Sequence, residues 1–309
     1  MRLIVTGDNH LRPDMPLCRT DPDWIATQRG HLEFIVDKCN ERSADLLCTG
    51  DLFDVPRVPP EIVNMFLEVL QSLNGKCYVI AGNHCLPWHK EENLAKSSIG
   101  VLKALSKTHE QIVYLDATEE TVEGRFEHTA WFTEDILVAH TLTFPNQELI
   151  PFGASATTAY ALIEKYPKAR LILTGDYHHN FVFDDDGHVV VNPGCMNIQV
   201  ADMMDYAPGI YFVDTDAYVD VTAQGDTNKV FRWKKSAIEW IPMPNDVSVL
   251  TRNHLDVQRE RDSRIASFVE TIMHDKQIGL SFENNLRAYM DKNQLRQPVR
   301  DILQEVEEE

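Results

Sequence analysis

The chain has 309 residues, 43 % hydrophobic and 25 % charged, with a formal net charge of -19. These proportions are ordinary for a folded soluble protein and exclude wholesale disorder, while the length allows a large main domain with an appendage. The strong negative charge repels nucleic acid and anionic membranes, so a DNA substrate would need local basic groups, metal ions or a partner to offset it.

Five short apolar runs in the first part of the chain each end in a polar cluster, which is typical of buried strands followed by functional loops. These runs cover residues 3–5, 46–48, 78–80, 136–138 and 171–173. Helical patterns lie between the first three runs, at residues 25–42 and 60–73. Alternating strands and helices predict a layered α/β fold with its functional loops at the carboxyl ends of the strands.

The pattern changes near residue 181 to short alternating strands at residues 189–191, 210–213 and 229–241, which we expect to form a second sheet that closes a sandwich. Beyond residue 244 the spacing becomes helical, with a last helix expected around Ile302 and Val306. We therefore predict a main domain over residues 1–244 and a C-terminal helical appendage over residues 245–309. The appendage could dock a partner through an apolar face formed by Phe268, Ile272 and Met273, or that face could pack on its own domain.

The cysteines and the N-terminus give an indication of the cellular compartment in which the protein works. Six cysteines are scattered without a C-x-x-C pair, which favours buried free thiols in a reducing compartment. The N-terminus enters a strand at once, without the apolar region of a signal peptide. No apolar run approaches the ~20 residues that span a bilayer. We expect a cytoplasmic protein that does not contact a membrane.

Side chains that can bind metals follow all five of the first strands. One such motif is weak evidence, because an isolated Asp-x-His is more often a turn aspartate with a surface histidine. Five coincidences of ligand type with strand end predict a shared metal site. In chain order the residues are Asp8, His10, Asp51, Asn83, His84, His140, Asp176 and His178.

These motifs resemble those of the calcineurin-like metallophosphoesterase superfamily, which run Asp-x-His, Gly-Asp, Gly-Asn-His, His and Gly-His-x-His in this order. The resemblance spans residues 7–178 and implies a four-layer α/β/β/α sandwich with two divalent metal ions. It implies a first metal held by Asp8, His10, Asp51 and His178. It implies a second metal held by Asp51, Asn83, His140 and Asp176. His84 would contact the substrate phosphate or protonate the leaving group.

The sequence departs from the family motif at Asp176, where the family has histidine. A carboxylate adds a negative charge and a hard oxygen, so we expect Mn²⁺, or else Mg²⁺, in preference to Zn²⁺ at the second position. The alternative is that Asp176 points away and the second ion is absent or loosely held.

Other residues close to the motifs are weaker candidates for the site. Asp54 could orient a metal ligand or cap a turn. Arg57 could contact a DNA backbone, and His179 could support the ligands, although each could equally be an exposed polar residue. Trp88 and His89 could form a wall for the substrate or simply anchor a loop.

Within the superfamily, the segments 8–11 and 50–54 and the helical appendage look most like the SbcD-type DNA repair nuclease subunit, in a compact, phage-type version. This resemblance implies a Mn²⁺-dependent DNA exonuclease or endonuclease acting in repair, recombination or replication. It also implies an SbcC-like coiled-coil ATPase partner. The chain has no Walker motif of its own, so any ATP dependence would come from such a partner. A homodimer is a further expectation.

Two other functions stay open at this point. The protein could be a phosphoesterase that acts on a small phosphodiester, a nucleotide or a phosphoprotein, which would suit its acidic surface. It could also be a non-catalytic interaction scaffold that uses the same fold, although a scaffold needs none of the metal-binding residues.

Overall fold

The computed structural model describes residues 1–117, 127–220, 231–234, 237–274, 282–293 and 299, and it divides the chain into the units Met1–Thr251 and Arg252–Glu309. The boundary expected at residue 244 therefore lies at residue 251. The reason is that the intervening segment pairs with the first unit. Thr20 N–H donates to Val249 O at 2.8 Å, and Thr251 N–H donates to Cys18 O at 2.8 Å.

Fifteen strands are described in the first unit, and most of them belong to two sheets. In chain order they are β1 (Arg2–Thr6), β2 (Asp45–Cys48), β3 (Cys77–Val79), β4 (Ile112–Tyr114), β5 (His128–Trp131), β6 (Ile136–His140), β7 (Thr143–Phe144), β8 (Thr157–Thr158), β9 (Leu171–Gly175), β10 (Phe181–Asp185), β11 (His188–Asn192), β12 (Gly209–Asp214), β13 (Tyr218–Asp220), β14 (Phe231–Trp233) and β15 (Ile238–Pro242).

Four helices are described in the same unit: α1 (Trp24–Arg42), α2 (Pro60–Leu70), α3 (Ser98–Leu105) and α4 (Ala159–Lys165). The first two lie where the helical spacing predicts them. Helix α1 has good caps, because the Asp23 side chain accepts from Ala26 N–H at the start and Ser43 is left-handed at the end.

The first sheet has the strand order β15-β12-β1-β2-β3-β4, and the second has the order β10-β11-β9-β6-β5. Strands β1 to β4 run parallel to one another, as do β6, β9 and β11. The expectation that all strands after residue 181 join the second sheet was wrong. Strands β12 and β15 extend the first sheet, because β12 pairs antiparallel with the open edge of β1.

Alternation along the strands builds the layers of the sandwich. Leu3 and Val5 face Val138 and Leu173 between the two sheets. The neighbouring Ile4 faces outward and belongs to the cluster that helices α1 and α2 cover. On the far side, helix α4 covers the outer face of the second sheet. The predicted four-layer α/β/β/α sandwich is therefore confirmed.

The second unit contains helix α5 (Asn253–His274) and helix α6 (Phe282–Lys292). Phe268 of α5 and Tyr289 of α6 stack edge to face with their ring centroids 4.5 Å apart, and Leu286 and Met290 are buried. C-terminal helices are thus present as predicted, while the helix expected around Ile302 lies outside the described residues.

Two further expectations concern the thiols and the membrane. All six cysteines are buried and free. Across the described parts of the chain, every helix is too short or too polar to cross a membrane.

Candidate metal centre

The carboxyl ends of β1, β2, β3, β6 and β9 meet at one edge of the sandwich. The first three of these strands belong to one sheet and the last two to the other. The last residue of β6 and the loops after the other four strands bring the eight predicted metal and catalytic residues to this edge. Ligand atoms of Asp8, His10 and His178 lie within 4.8 Å of one another, as do those of Asp8, Asp51 and His140.

His140 organises the more enclosed half of this cluster. Its Nδ1 lies 2.9 Å from Thr49 O, and because a carbonyl can only accept, Nδ1 carries a proton there. This bond aims Nε2 at Asn83 Oδ1 at 3.0 Å, at Asp51 Oδ2 at 3.3 Å and at Asp176 Oδ1 at 3.9 Å. All four residues predicted for the second metal therefore converge on one point.

The other half of the cluster centres on two imidazoles. His10 Nε2 and His178 Nε2 are 3.2 Å apart, and the two rings meet edge to face. The far nitrogen of His10, Nδ1, lies 3.3 Å from Asp54 Oδ1. Asp54 also forms an ion pair with Arg12, with 3.1 Å between the guanidinium and carboxylate atoms, so this carboxylate supports a predicted ligand from behind.

Asp8 and Asp176 connect the two halves through the backbone. Asp176 N–H donates to both carboxylate oxygens of Asp8, at 3.0 and 3.1 Å. From the sequence, Asp176 could either face the cluster or point away from it, and in the structure it faces the cluster. Its carboxylate lies on the His140 side of the cluster and is only 21 % exposed.

Close packing at this edge requires glycine beside the ligands. A Cβ on Gly82 would lie 2.1 Å from Asp51 Oδ1, and a Cβ on Gly50 would lie 2.1 Å from His140 Nδ1. Gly50 also has φ +111°, a value that residues with a side chain rarely adopt. A glycine just before the ligand was thus a signal in the sequence for close approach of the loops.

The sequence profile of the calcineurin-like phosphoesterase family matches residues 1–180 of this chain. The chain belongs to the calcineurin-like phosphoesterase family. The ordered motifs and the sandwich are those that the family resemblance implied, and the cluster at the strand ends supplies candidate metal ligands. The protein is accordingly a metal-dependent phosphoesterase.

Solved structures that this chain is similar to include an archaeal phosphodiesterase, which is 13 % identical and aligns over 78 % of this chain and 99 % of that chain, with a TM-score of 0.41. Vps29 from Entamoeba histolytica complexed with zinc is 15 % identical over 78 % of this chain and 99 % of its own, with a TM-score of 0.36. A predicted phosphoesterase from Streptococcus pneumoniae is 11 % identical over 78 % and 97 %, with a TM-score of 0.33. A search of curated protein sequences finds no match to this chain.

The donor set of this phosphoesterase fits a pair of divalent cations. His140 Nε2 faces an amide oxygen and two carboxylate oxygens, none of which can donate a hydrogen bond to it when the carboxylates are ionised. The mixture of carboxylate, amide and imidazole groups is one that divalent ions such as Mn²⁺ accept. A cation bound in each half of the cluster would be coordinated by the nitrogen and oxygen atoms that face one another there.

The pKa values of the clustered residues are shifted by burial and by the charges of their neighbours. Burial raises the pKa of Asp8 to about 7, against the opposing effect of His140. Burial would also raise the pKa of Asp51, but the adjacent His140 holds it below its usual range. For His140 burial alone would lower the pKa, yet Asp51 and the other carboxylates raise it to about 10. The carboxylates around His140 thus favour a positive charge at this point, whether it is a proton on His140 or a bound cation.

His84 occupies the open side of the centre. Its backbone N–H donates to Asp51 Oδ1 at 2.9 Å, and its Nδ1 donates to Asp54 O at 2.9 Å. The ring lies edge to face with His10 at 4.8 Å between centroids, and its ligand atom is within 4.8 Å of those of His10 and Asp51. The imidazole is exposed, and the role that the resemblance implies for it at the substrate phosphate or the leaving group stays a prediction.

Two of the weaker candidates have other contacts. Arg57 Nε donates to Lys96 O at 2.9 Å on the surface. The His179 ring lies between Tyr177 and Tyr206, with centroid distances of 5.5 and 5.3 Å. The role of Thr49, which orients His140, was not predicted from the sequence. Thr49 acts through its backbone carbonyl, and every residue type has such a carbonyl.

Proposed function

We propose that this phosphoesterase is a Mn²⁺-dependent nuclease that cleaves phosphodiester bonds in DNA, as the SbcD-type resemblance implies. The observation that carries the proposal is the convergence of ligands from five strand ends around Asp51, with His84 on the open side. A phosphodiester bound there would have its phosphorus next to the metal ligands and its leaving oxygen within reach of an imidazole.

The first ion would be held by Asp8, His10, Asp51 and His178, and the second by Asp51, Asn83, His140 and Asp176. Such an ion pair generates a nucleophile at neutral pH and stabilises the charge that develops on the phosphoryl oxygens. The chain itself fixes the ligands through Thr49 and Asp54, and His84 orients the phosphate or gives a proton to the leaving oxygen.

One assay separates the proposal from its alternatives. The purified protein is given Mn²⁺ and is offered linear duplex DNA, single-stranded DNA and bis-p-nitrophenyl phosphate, beside a His84→Ala variant. We expect cleavage of DNA, with a loss of about 100-fold or more in the variant because a positioned acid-base group contributes that much. Hydrolysis of the small ester alone would favour the second candidate, and inactivity on every substrate would favour a scaffold.

The second candidate is a phosphodiesterase or phosphatase for a small phosphodiester, a nucleotide or a phosphoprotein. The net charge of -19 favours it, because such a charge repels a polyanion. Basic side chains near the motifs are also engaged: Arg12 pairs with Asp54, and Lys90 lies 3.8 Å from Glu92. A salt titration of the DNA activity tests this point, since DNA bound through phosphate contacts loses affinity steeply as salt rises.

Mn²⁺ is proposed as the resident metal because Asp176 gives the second position a hard oxygen ligand. Calorimetric titration of the wild type and of Asp176→His with Mn²⁺ and Zn²⁺ tests the assignment, with the exposed Asp202→His as control. We expect the ratio of Mn²⁺ to Zn²⁺ affinity to fall by at least about tenfold only in Asp176→His. An unchanged ratio would exclude Asp176 from metal selection.

We also propose that the helical unit docks an SbcC-like coiled-coil ATPase. Phe268, expected on the docking face, packs on Tyr289 of its own unit, whereas Ile265 and Val269 are 51 % and 46 % exposed one helical turn apart. The side chains of Ile272 and Met273, expected on the same face, lie outside the described residues. Ile265→Glu with Val269→Glu should abolish stimulation by such an ATPase and leave the basal activity intact; retained stimulation would refute the docking site.

A further inference from the structure

Trp88 lies on the turn that follows His84 and is 75 % exposed. One exposed apolar residue is normal on a protein surface and needs no explanation by itself. Over the described part of the chain, however, the indole ring makes no ring stack, cation–π contact or hydrogen bond. Its position is therefore not explained by packing within the protein.

The backbone of this turn is strained. Trp88 has φ 56° and ψ 25°, and His89 has φ 55°, so two successive residues with bulky side chains are left-handed. Such a conformation is unfavourable for any residue with a Cβ, and it persists only where the surroundings hold it. In folded proteins such strain concentrates at functional sites.

The contacts that hold the turn link it to the metal centre. His89 Nδ1 donates to Asn83 O at 2.8 Å, and His89 N–H donates to Leu86 O at 3.0 Å. Asn83 is also the amide whose side-chain oxygen lies 3.0 Å from His140 Nε2. The residue next to Trp88 is thus bonded to the backbone of a predicted metal ligand, which holds the turn that carries the exposed indole.

We propose that Trp88 is the stacking platform for a nucleobase attached to the phosphate that binds at the metal centre; this rests on the proposed function. Its exposed ring stands four residues after His84, on a turn that is bonded to Asn83, and would contact the base that the bound phosphate carries. An indole stacks on the face of any base without reading its edge. It would make the enzyme selective for nucleotides and tolerant of sequence.

The test compares Trp88→Ala, Trp88→Phe and Trp131→Ala with the wild type. Trp131 is a partly exposed tryptophan on β5, paired with Leu137 at the end of β6 opposite His140, and it serves as the control. The substrates are an oligonucleotide and the same oligonucleotide with abasic sites flanking the scissile phosphate, both with Mn²⁺. Values of kcat/KM are measured for each pair.

We expect Trp88→Ala to lower kcat/KM on the normal oligonucleotide by about 5- to 100-fold, the range that stacking on one base supports. The abasic substrate should be equally poor for the wild type and for Trp88→Ala, while Trp88→Phe recovers most of the activity. An equal loss on both substrates would mean that Trp88 only positions the turn, and no loss on either would mean that it does not contact the base. Each of these results would overturn the proposal.

Trp88→Gly adds a readout that separates stacking from structure. Glycine relieves the left-handed strain, so this variant should melt about 2–4 °C higher than the wild type while losing as much base-dependent activity as Trp88→Ala. A residue with a merely structural role would lose stability and activity together.

Failure of the proposed function has a different signature. If the wild type hydrolyses bis-p-nitrophenyl phosphate but no DNA, the DNA proposal fails, and Trp88 is then judged by titrating the protein with a nucleoside monophosphate and following indole fluorescence. Quenching that Trp88→Phe abolishes would retain Trp88 as the base platform for a small nucleotide. Equal quenching in both proteins would overturn it.

Discussion

The loop edge of the sandwich and helix α1 differ in backbone strain and in the amount of charge that they bury. Helix α1 is regular, capped by Asp23 and Ser43, and buries an apolar face against the first sheet. At the loop edge, by contrast, Asp8, His10 and Asp51 are left-handed and buried together with their charges. The helical layer therefore contributes to stability. The loop edge carries the functional side chains, at the cost of a strained backbone and buried charges. Substitutions of the same kind should have different consequences in the two regions.

Asp51→Asn should have the largest effect. The carboxylate stands between both halves of the centre, and losing its charge removes the shared ligand that the assignment requires. We expect kcat/KM on bis-p-nitrophenyl phosphate to fall by about 1000-fold or more, since metals contribute several kcal/mol to such reactions. Asp37→Asn on the exposed face of α1 is the control, and a loss of less than about tenfold at Asp51 would contradict its role as the ligand shared by both metals.

Gly82→Ala should come next, because a Cβ there would lie 2.1 Å from Asp51 Oδ1. Overpacking of this kind typically costs about 1–3 kcal/mol of stability. The displaced carboxylate should also lower kcat by about 100-fold, as small misplacements of catalytic groups do. Thermal unfolding and steady-state kinetics measure the two effects, and a fully active Gly82→Ala would show that the edge is more compliant than its packing indicates.

Asp54→Asn should have a moderate effect. The amide can still accept from His10, but it loses the charge that pairs with Arg12 and favours the correct orientation of the ring. Loss of such support behind a metal ligand usually costs about 10- to 100-fold in metal affinity or activity. Calorimetry with Mn²⁺ measures this, with the exposed Asp14→Asn as control; unchanged affinity would mean that His10 is oriented without Asp54.

Gly30→Ala should have the smallest effect and the opposite sign. Gly30 lies inside α1, and a Cβ there meets nothing within 4 Å. Replacing glycine by alanine within a helix stabilises it by about 0.5–1 kcal/mol. A higher free energy of unfolding in urea with unchanged kinetics is expected. Destabilisation would show that the helical layer is as sensitive as the edge, and the contrast between the regions would then fail.

The parts of this architecture that sequence could predict are those with local signals. Each apolar run is followed directly by a motif of metal-binding residues, as at Asp8 and Asp51. The run therefore predicts the strand, and the position of the motif beside the run predicts that the motif lies in a loop at the strand end. The pairing of β12 with β1 joins Leu3 to Val213 across most of the chain, and alternation along either strand carries no information about that partner.

The same reasoning applies inside the metal centre. Residue types predicted which side chains could bind a metal, but they could not give the orientation of His140, because that depends on the backbone oxygen of Thr49 from the other sheet. Whether Asp176 faces His140 likewise depends on the left-handed backbone at Asp176, with φ 83°, which aspartate does not specify by itself. Motif order is encoded locally, whereas the geometry of a site arises from the fold.

The ligands come from both sheets: Asp8, Asp51 and Asn83 follow strands of the first, whereas in the second His140 ends β6 and Asp176 follows β9. An ion bound by both groups would act as a non-covalent cross-link between the sheets, so metal supply and folding are thermodynamically linked. At a free metal concentration 100 times Kd, this linkage adds about 2.7 kcal/mol to the stability of the folded chain. Metal scarcity would then expose the protein to unfolding and degradation, and the amount of enzyme, as well as its turnover, would follow the metal supply.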